Sequence, residues 1–216
     1  MRKDLIILGT SGLAREMAML MEVANARSCL WRFLGFVGHD AAEKGKSLGL
    51  GSVLGDDAWL LAQDLEVDIL CGIGFPKIKE RALRPYLEQC DRFGFPNLIH
   101  PSANLDFRRV NLGRGNAITA GCSFTCDIEV GDFNLFNLNM TVGHDARIGN
   151  FNVFNPSVNV SGGVHVGDRV LAGTGCQILE NLAIGDDAIL GAGSVVRTVV
   201  AAGTTMVGIP AKPLTR

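Results

Sequence analysis

The stretch Val142–Asn150, VGHDARIGN, sets a histidine beside an aspartate in a region otherwise rich in Val, Ile, Gly and Asn. Imidazole titrates near neutral pH, so a positioned histidine can take a proton from a hydroxyl or amine as that group attacks an electrophile. A neighbouring carboxylate orients the ring or stabilises the imidazolium that forms. His144 and Asp145 are therefore the candidate catalytic pair, with His144 as general base. The plainer reading of His144 is an exposed turn residue.

Some element must hold that pair, and the residues around it repeat. Steps of six from Leu112 give Ile118, Phe124, Val130, Phe136, Val142, Ile148, Phe154, Val160, Val166, Ala172, Ile178, Ile184, Leu190 and Val196 without a slip. Every third step sharpens to Val130-Gly131-Asp132, Ile148-Gly149-Asn150, Val166-Gly167-Asp168 and Ile184-Gly185-Asp186, a second period of eighteen. Nested periods of this kind predict a triangular coil with the bulky residue inward and Gly or Asn at tight corners. A second inward row falls two residues earlier, at Cys122, Ile128, Met140, Val158, Val164, Val170, Cys176 and Leu182. Asn116, Asn134 and Asn152 depart from it, as short side-chain ladders or corner residues. The longer period stacks Cys126, His144, Gly162 and Glu180, so histidine is not the repeat's own choice.

Before residue 100 the pattern is different. DLIILG, RFLGFVG, VDILCGIG and LIH read as short strands, and LAREMAMLMEVANA and PKIKERALRPYLEQC as amphipathic helices, with Pro76 suited to a first turn. Alternation of this sort predicts a small parallel α/β sheet. The expected organisation is thus an α/β domain over 1–100 and a β-helix over 101–216. Gly9, Thr10, Ser11 and Gly12 join a strand to a helix, a position that can aim backbone N–H groups at a phosphate. The loop is not the six-residue glycine fingerprint of a dinucleotide site, which argues against a nicotinamide-dependent oxidoreductase.

A net charge of −2, with 19% charged residues and no long Lys/Arg block, gives no footprint for nucleic acid or an anionic membrane and favours a small-molecule substrate. No apolar run reaches the roughly 18 residues that span a bilayer, and MRKDLIILGTSG breaks too early for a secretory segment. A cytoplasmic protein with no membrane insertion is expected, its six cysteines reduced and in the core. Residues 101–216 hold only His144 and His165, short of the three histidines a zinc carbonic anhydrase on such a coil requires. His165, between two inward rows, is expected to point outward.

The array resembles the left-handed parallel β-helix of hexapeptide-repeat acyltransferases, and the closing VGIPAKPL is similar to that family's tail. With IILGTSGLARE and GIGFPKIKERAL in front, the whole chain resembles the NeuD/PglD-like sugar O- or N-acetyltransferases, which join a small Rossmann-like sheet to such a helix. The resemblance implies acetyl-CoA as co-substrate, no metal, and an amino or hydroxyl group of a nucleotide-linked sugar as acceptor. It gives His144 and Asp145 the catalytic roles, Gly162 a backbone N–H for the thioester carbonyl, and Thr174 and Ala192 the pantetheine arm. It places the acceptor's nucleotide on Gly9–Gly12, with Leu13 standing where the family has a histidine and Asp40 remaining of an acidic pair. Val153 stands where a second histidine often contacts the cofactor. Asn137 is a further polar candidate for the sugar, and Arg197, Lys212 and Arg216 are candidate cations for the cofactor's phosphates.

A packed coil has no interior cavity, so ligands must bind outside it. The outward Leu135, Leu138, Val153 and Leu171 expose more apolar surface than a monomer keeps wet, which together with the resemblance predicts a homotrimer. Acetyl-CoA is then expected between neighbouring β-helices, with Gly162 of one chain near His144 of another. The alternative is a non-catalytic structural or sugar-binding β-helix.

Overall fold

Leu5, Ile6, Ile7 and Leu8 are all buried, so strand β1 (Lys3–Leu8) must lie inside a sheet covered on both faces. In the computed structural model, which describes residues 2–214, β1 is the central strand of five. The others are β2 (Trp31–Gly38), β3 (Val53–Asp56), β4 (Val67–Cys71) and β5 (Phe93–Gly94), all parallel, in the order β3-β2-β1-β4-β5. Helix α1 (Gly12–Ser28) buries Ala14, Met17, Ala18, Leu20 and Met21 and ends at Cys29, whose φ of 53° is left-handed. A side chain at Gly72 would lie 2.5 Å from the Ala14 Cα, so glycine is required where α1 crosses the end of β4.

Helix α3 (Pro76–Leu87) begins at Pro76, as its sequence predicts. Strand β3 and helix α2 (Asp57–Ala62) carry no sequence signal of their own. One is four residues long and contains Gly55; the other is six and depends on Asp56, whose side chain accepts from the Trp59 N–H at 2.8 Å. LIH was expected in this sheet, but Leu98–Ile99 instead pairs with Ala117–Ile118 and opens the longest sheet of the repeat region. The chain divides into two units, Met1–Gly74 with Ile78–Leu98 and Phe75–Lys77 with Ile99–Arg216.

In the second unit, strands of two or three residues stack into three sheets, the faces of a triangular prism, parallel throughout except for the last pair, Thr205–Val207 with Lys212–Pro213. The first face holds Leu135–Phe136, Val153–Phe154, Leu171–Ala172 and Ile189–Leu190; the second, Thr141–Val142, Asn159–Val160 and Gln177–Ile178; the third, Arg147–Ile148, His165–Val166 and Ala183–Ile184. Each strand's inward residue belongs to the six-step ladder. From Ile118 to Val196 every rung is buried, and only the terminal Leu112 is half-exposed. The second row is buried as well, apart from a half-buried Leu182. Asn116, Asn134 and Asn152 form a buried ladder: the Asn134 N–H donates to Asn116 Oδ1 at 2.9 Å, that of Asn152 to Asn134 Oδ1 at 2.9 Å, and that of Val170 to Asn152 Oδ1 at 2.7 Å. His165 is exposed, as its place between two inward rows requires.

Two expectations need correction. Leu135 and Val153 are 3 % and 1 % exposed and Leu171 is half-buried, so these positions do not form an open apolar surface; of the four proposed contact residues only Leu138, at 45 %, is open. The six cysteines are free, but only Cys122 and Cys176 are core residues, and Cys29 and Cys90 are exposed. Among the described residues no helix is long and apolar enough to cross a membrane.

Candidate active site

His144 and Asp145 sit on the prism corner between the second and third faces, just after the strand Thr141–Val142. The neighbouring Ala146 fills the interior, which leaves both polar side chains outside. Asp145 takes the left-handed corner conformation, φ 61°, shared by Asp127, Gly163 and Asn181 one coil apart at the same corner. From there its Oδ2 lies 2.7 Å from His144 Nδ1. The proton that makes this bond belongs on Nδ1, which leaves the lone pair of Nε2 as the basic site.

Nε2 faces the next coil. A Cβ built on Gly162 would lie 2.6 Å from it and 2.7 Å from Cε1 of the same ring. The two coils are tied here by the Gly163 N–H donating to the His144 carbonyl at 2.7 Å. Among the described residues the Gly162 N–H has no protein acceptor, and no serine, threonine or cysteine side chain bonds to the imidazole. His144 and Gly162 of one chain thus adjoin, contrary to the expectation that they meet across two chains. The eighteen-residue period stacks them on one corner.

Thr174 and Ala192 stack on a different corner, between the first and second faces. A Cβ on Gly173 would lie 2.5 Å from the Ala192 nitrogen. Asn137 belongs to that corner too, its Oδ1 accepting from the Leu138 N–H at 2.8 Å, and so is not brought to His144. The second face separates the two corners. It carries a polar ladder that the sequence reading missed: Thr141 Oγ1 donates to Asn159 Oδ1 at 2.6 Å, and Asn159 Nδ2 to Gln177 Oε1 at 3.0 Å. Their eighteen-residue spacing, each just before a ladder rung, was the available signal. At the C-terminal end Arg197 and Lys212 line a common cavity of about 480 Å³. Arg216 lies outside the described residues. Val153, where a second histidine was sought, is buried and faces no solvent.

The first unit gathers the other group of candidates at the C-terminal ends of β1 and β2, beside the point where the strand order reverses. Such switch points are where open α/β sheets bind ligands. Gly9 has φ 106° and donates to the Val37 carbonyl at 2.8 Å; Ser11 is the N-cap of α1, with no side-chain capping bond. Thr10 Oγ1 donates to Glu43 Oε2 at 2.7 Å, and Asp40 Oδ1 accepts from the Ala42 N–H at 2.9 Å. Glu43 was not anticipated. The hydrogen bond from Lys46, and then that from Thr10, holds its carboxyl below the usual range. Gly38 lies among these groups, a Cβ there falling 3.1 Å from both Glu43 Oε2 and Thr10 Cγ2. Leu13 is half-buried, its Cδ2 3.3 Å from a Cβ built on Gly74.

Residues 163–198 match the family model described as bacterial transferase hexapeptide (six repeats). Comparison with curated protein sequences gave no match. Among solved structures, PerB from Caulobacter crescentus in complex with CoA and GDP-perosamine is 30% identical with a TM-score of 0.86, over 98% of this chain and 97% of that one. The chain belongs to the hexapeptide-repeat acyltransferase family. The acetyltransferase domain of PglB from Neisseria gonorrhoeae FA1090, in complex with acetyl coenzyme A, is 25% identical with a TM-score of 0.86, over 99% of this chain and all of that one. WeeI from Acinetobacter baumannii AYE is 27% identical, with a TM-score of 0.83 over 97% of this chain and 99% of that one. The prism is thus the left-handed parallel β-helix of a hexapeptide-repeat acyltransferase, and the five-stranded unit its α/β partner.

Proposed function

We propose that this chain is an acetyl-CoA-dependent acetyltransferase that modifies an amino or hydroxyl group of a nucleotide-linked sugar. The observation that carries the reading is the imidazole of His144, anchored through Nδ1 by Asp145 with Nε2 over the bare backbone of Gly162. Relatives similar over nearly their whole length carry CoA with GDP-perosamine, or acetyl coenzyme A, in their solved complexes. A further solved complex, with CoA and GDP-perosamine, is of a perosamine N-acetyltransferase from Caulobacter crescentus with a histidine replaced by asparagine.

His144 Nε2 takes the proton from the acceptor's amine or hydroxyl as that nitrogen or oxygen bonds to the thioester carbonyl carbon. The Gly162 N–H donates to the carbonyl oxygen as negative charge develops on it. When the carbon–sulfur bond breaks, the imidazolium returns its proton to the sulfur. CoA leaves as the thiol, and the base is regenerated. Among the described residues no serine, threonine or cysteine side chain bonds to His144, and the transfer is direct. Thr174 and Ala192 line the pantetheine path, Arg197 and Lys212 take the phosphates, and the region 101–216 is the catalytic domain. Region 1–100 is the acceptor domain, with Gly9–Gly12, Leu13 and Asp40 holding the nucleotide.

The working assembly is a homotrimer with acetyl-CoA between adjacent prisms. The two candidate corners lie on opposite edges of the second face, so one prism offers no enclosed path joining them. Assay of CoA thiol release with acetyl-CoA and a panel of GDP-, UDP- and dTDP-linked amino and hydroxy sugars tests the activity, and light scattering tests the assembly. No thiol release with any acceptor, together with no thermal shift on adding CoA, would sink the enzymatic reading; a monomer at micromolar concentration would sink the trimer.

A further inference from the structure

A glycine at position 162 is not demanded by its own backbone. Its φ lies outside the left-handed region, so an L side chain there would carry no conformational strain. The contrast with Gly163 is instructive. Gly163 has φ 67°, but Asp127, Asp145 and Asn181 hold nearly the same angle at equivalent corners, so even there conformation alone does not require glycine. At both positions the constraint is space. A Cβ on Gly163 would run into Asn181 Oδ1, and one on Gly162 would lie 2.6, 2.7 and 3.1 Å from Nε2, Cε1 and Cδ2 of His144. The volume a side chain would fill at 162 is the volume the imidazole occupies.

We propose that Gly162 is a positioning residue for His144: its missing side chain is the seat that holds the ring along the prism corner, with Nε2 where a Cβ on Gly162 would stand. This rests on the general-base reading of His144 and extends it. Without the seat the ring has somewhere to go. His144 is largely exposed, so it can swing away from the corner at little cost in stability, leaving the fold intact but the base out of reach. The Asp145 contact alone does not fix the ring, because a bond at Nδ1 leaves rotation about it free. Asp145 and Gly162 together define the direction of the Nε2 lone pair. Cys126 and Glu180, the other occupants of this corner, show that the repeat accepts larger residues wherever no ring lies over them.

The test is Gly162→Ala, which keeps the backbone N–H and adds one methyl group. A ring displaced from its seat lowers kcat by about 100-fold or more, since misplacing a catalytic group by about 1 Å costs that much. KM for acetyl-CoA stays within about threefold and Tm within about 2 °C, as expected for a displaced exposed side chain. In a His144→Ala background the same change costs nothing further, because no ring is left to displace. If Gly162 acted only through its amide, Ala would retain most of the activity; if it served an unrelated purpose, the two losses would multiply. Either result overturns the proposal. Should Gly162→Ala not fold, the double variant with His144→Ala must fold, and its failure to do so overturns the proposal equally. A crystal structure of Gly162→Ala separates this inference from the base assignment. A ring still in place refutes the seat, whereas near-normal activity of His144→Ala alone refutes the base and leaves a displaced ring as support for the seat.

Discussion

His144 Nδ1 and Asp145 Oδ2 are 2.7 Å apart, and Asp145 makes that contact from a left-handed corner residue of the β-helix. The corner fixes the aspartate's backbone, the aspartate fixes one ring nitrogen, and the other is left to accept a proton. Replacing His144 by Ala removes an exposed side chain from a finished coil, so the fold should persist. A positioned base contributes about 10²–10⁴ in rate, and kcat should fall by that factor in the thiol-release assay. Near-normal transfer by this variant to its true acceptor would mean that the proton goes elsewhere.

Asp145 has two duties, and two substitutions separate them. Asn tolerates the left-handed region and matches the aspartate in size, but it carries no charge. A hydrogen bond to a charged group is worth about 1.5–3 kcal/mol, or roughly 10–100-fold in rate, so Asp145→Asn should lose that much kcat with Tm unchanged. Asp145→Ala should show a comparable kinetic loss plus about 1 kcal/mol of destabilisation from an unfavourable corner. Equal stability of the Ala and Asn variants would show that the corner does not select its residue.

Most of the β-helix was legible because one residue in six must point inward and a slip of one position would expose the whole ladder. From Ile118 to Val196 the arithmetic alone placed the core. The same eighteen-residue arithmetic stacked His144 on Gly162, although it could not say that the ring fills the glycine's missing side chain. What stayed hidden depended on local chemistry or on contacts without a period. Helix α2 is too short to show periodicity and relies on its Asp56 cap. Glu43 is recognisable only once Thr10 is seen to reach it. Leu135 and Val153 occupy outward positions by count but are buried, because periodicity tells which way a residue points and not what covers it.

Lys79 on α3 gives the first unit a distinctive pH response. It is 3 % exposed, and burial lowers its pKa to about 8, with a smaller opposing effect from Cys71. Below pH 8 folded and unfolded chains both carry the proton, and the cost of burying the charge is fully present. Between about 8 and 10.5 the unfolded chain still binds a proton that the folded chain releases, so stability rises with pH across that window. Urea denaturation at pH 7 and pH 10 should therefore show the wild type gaining a few kcal/mol relative to Lys79→Met. A difference between the two proteins that is constant with pH would contradict a charged, buried Lys79 at neutral pH.

The corner of Thr174 and Ala192 offers the most direct check on the cofactor path. A ligand that binds only the folded state at 100 times its Kd stabilises by about 2.7 kcal/mol, which for a chain of this size is a thermal shift of roughly 5–10 °C with CoA. Thr174 and Ala192 occupy adjacent coils of one corner, with the bare Gly173 packed against the Ala192 nitrogen, so bulky outward side chains there would narrow the path without entering the core. The double variant Thr174→Trp, Ala192→Phe should lose most of the CoA-induced shift and raise KM for acetyl-CoA at least about tenfold, while the protein alone melts within about 3 °C of wild type. Because His144 and Gly162 lie across the second face, kcat at saturating acetyl-CoA should change far less than KM. An undiminished CoA shift in this variant would place the pantetheine arm on another corner, and a loss confined to kcat would mean that the substitutions had disturbed the base and not the cofactor path.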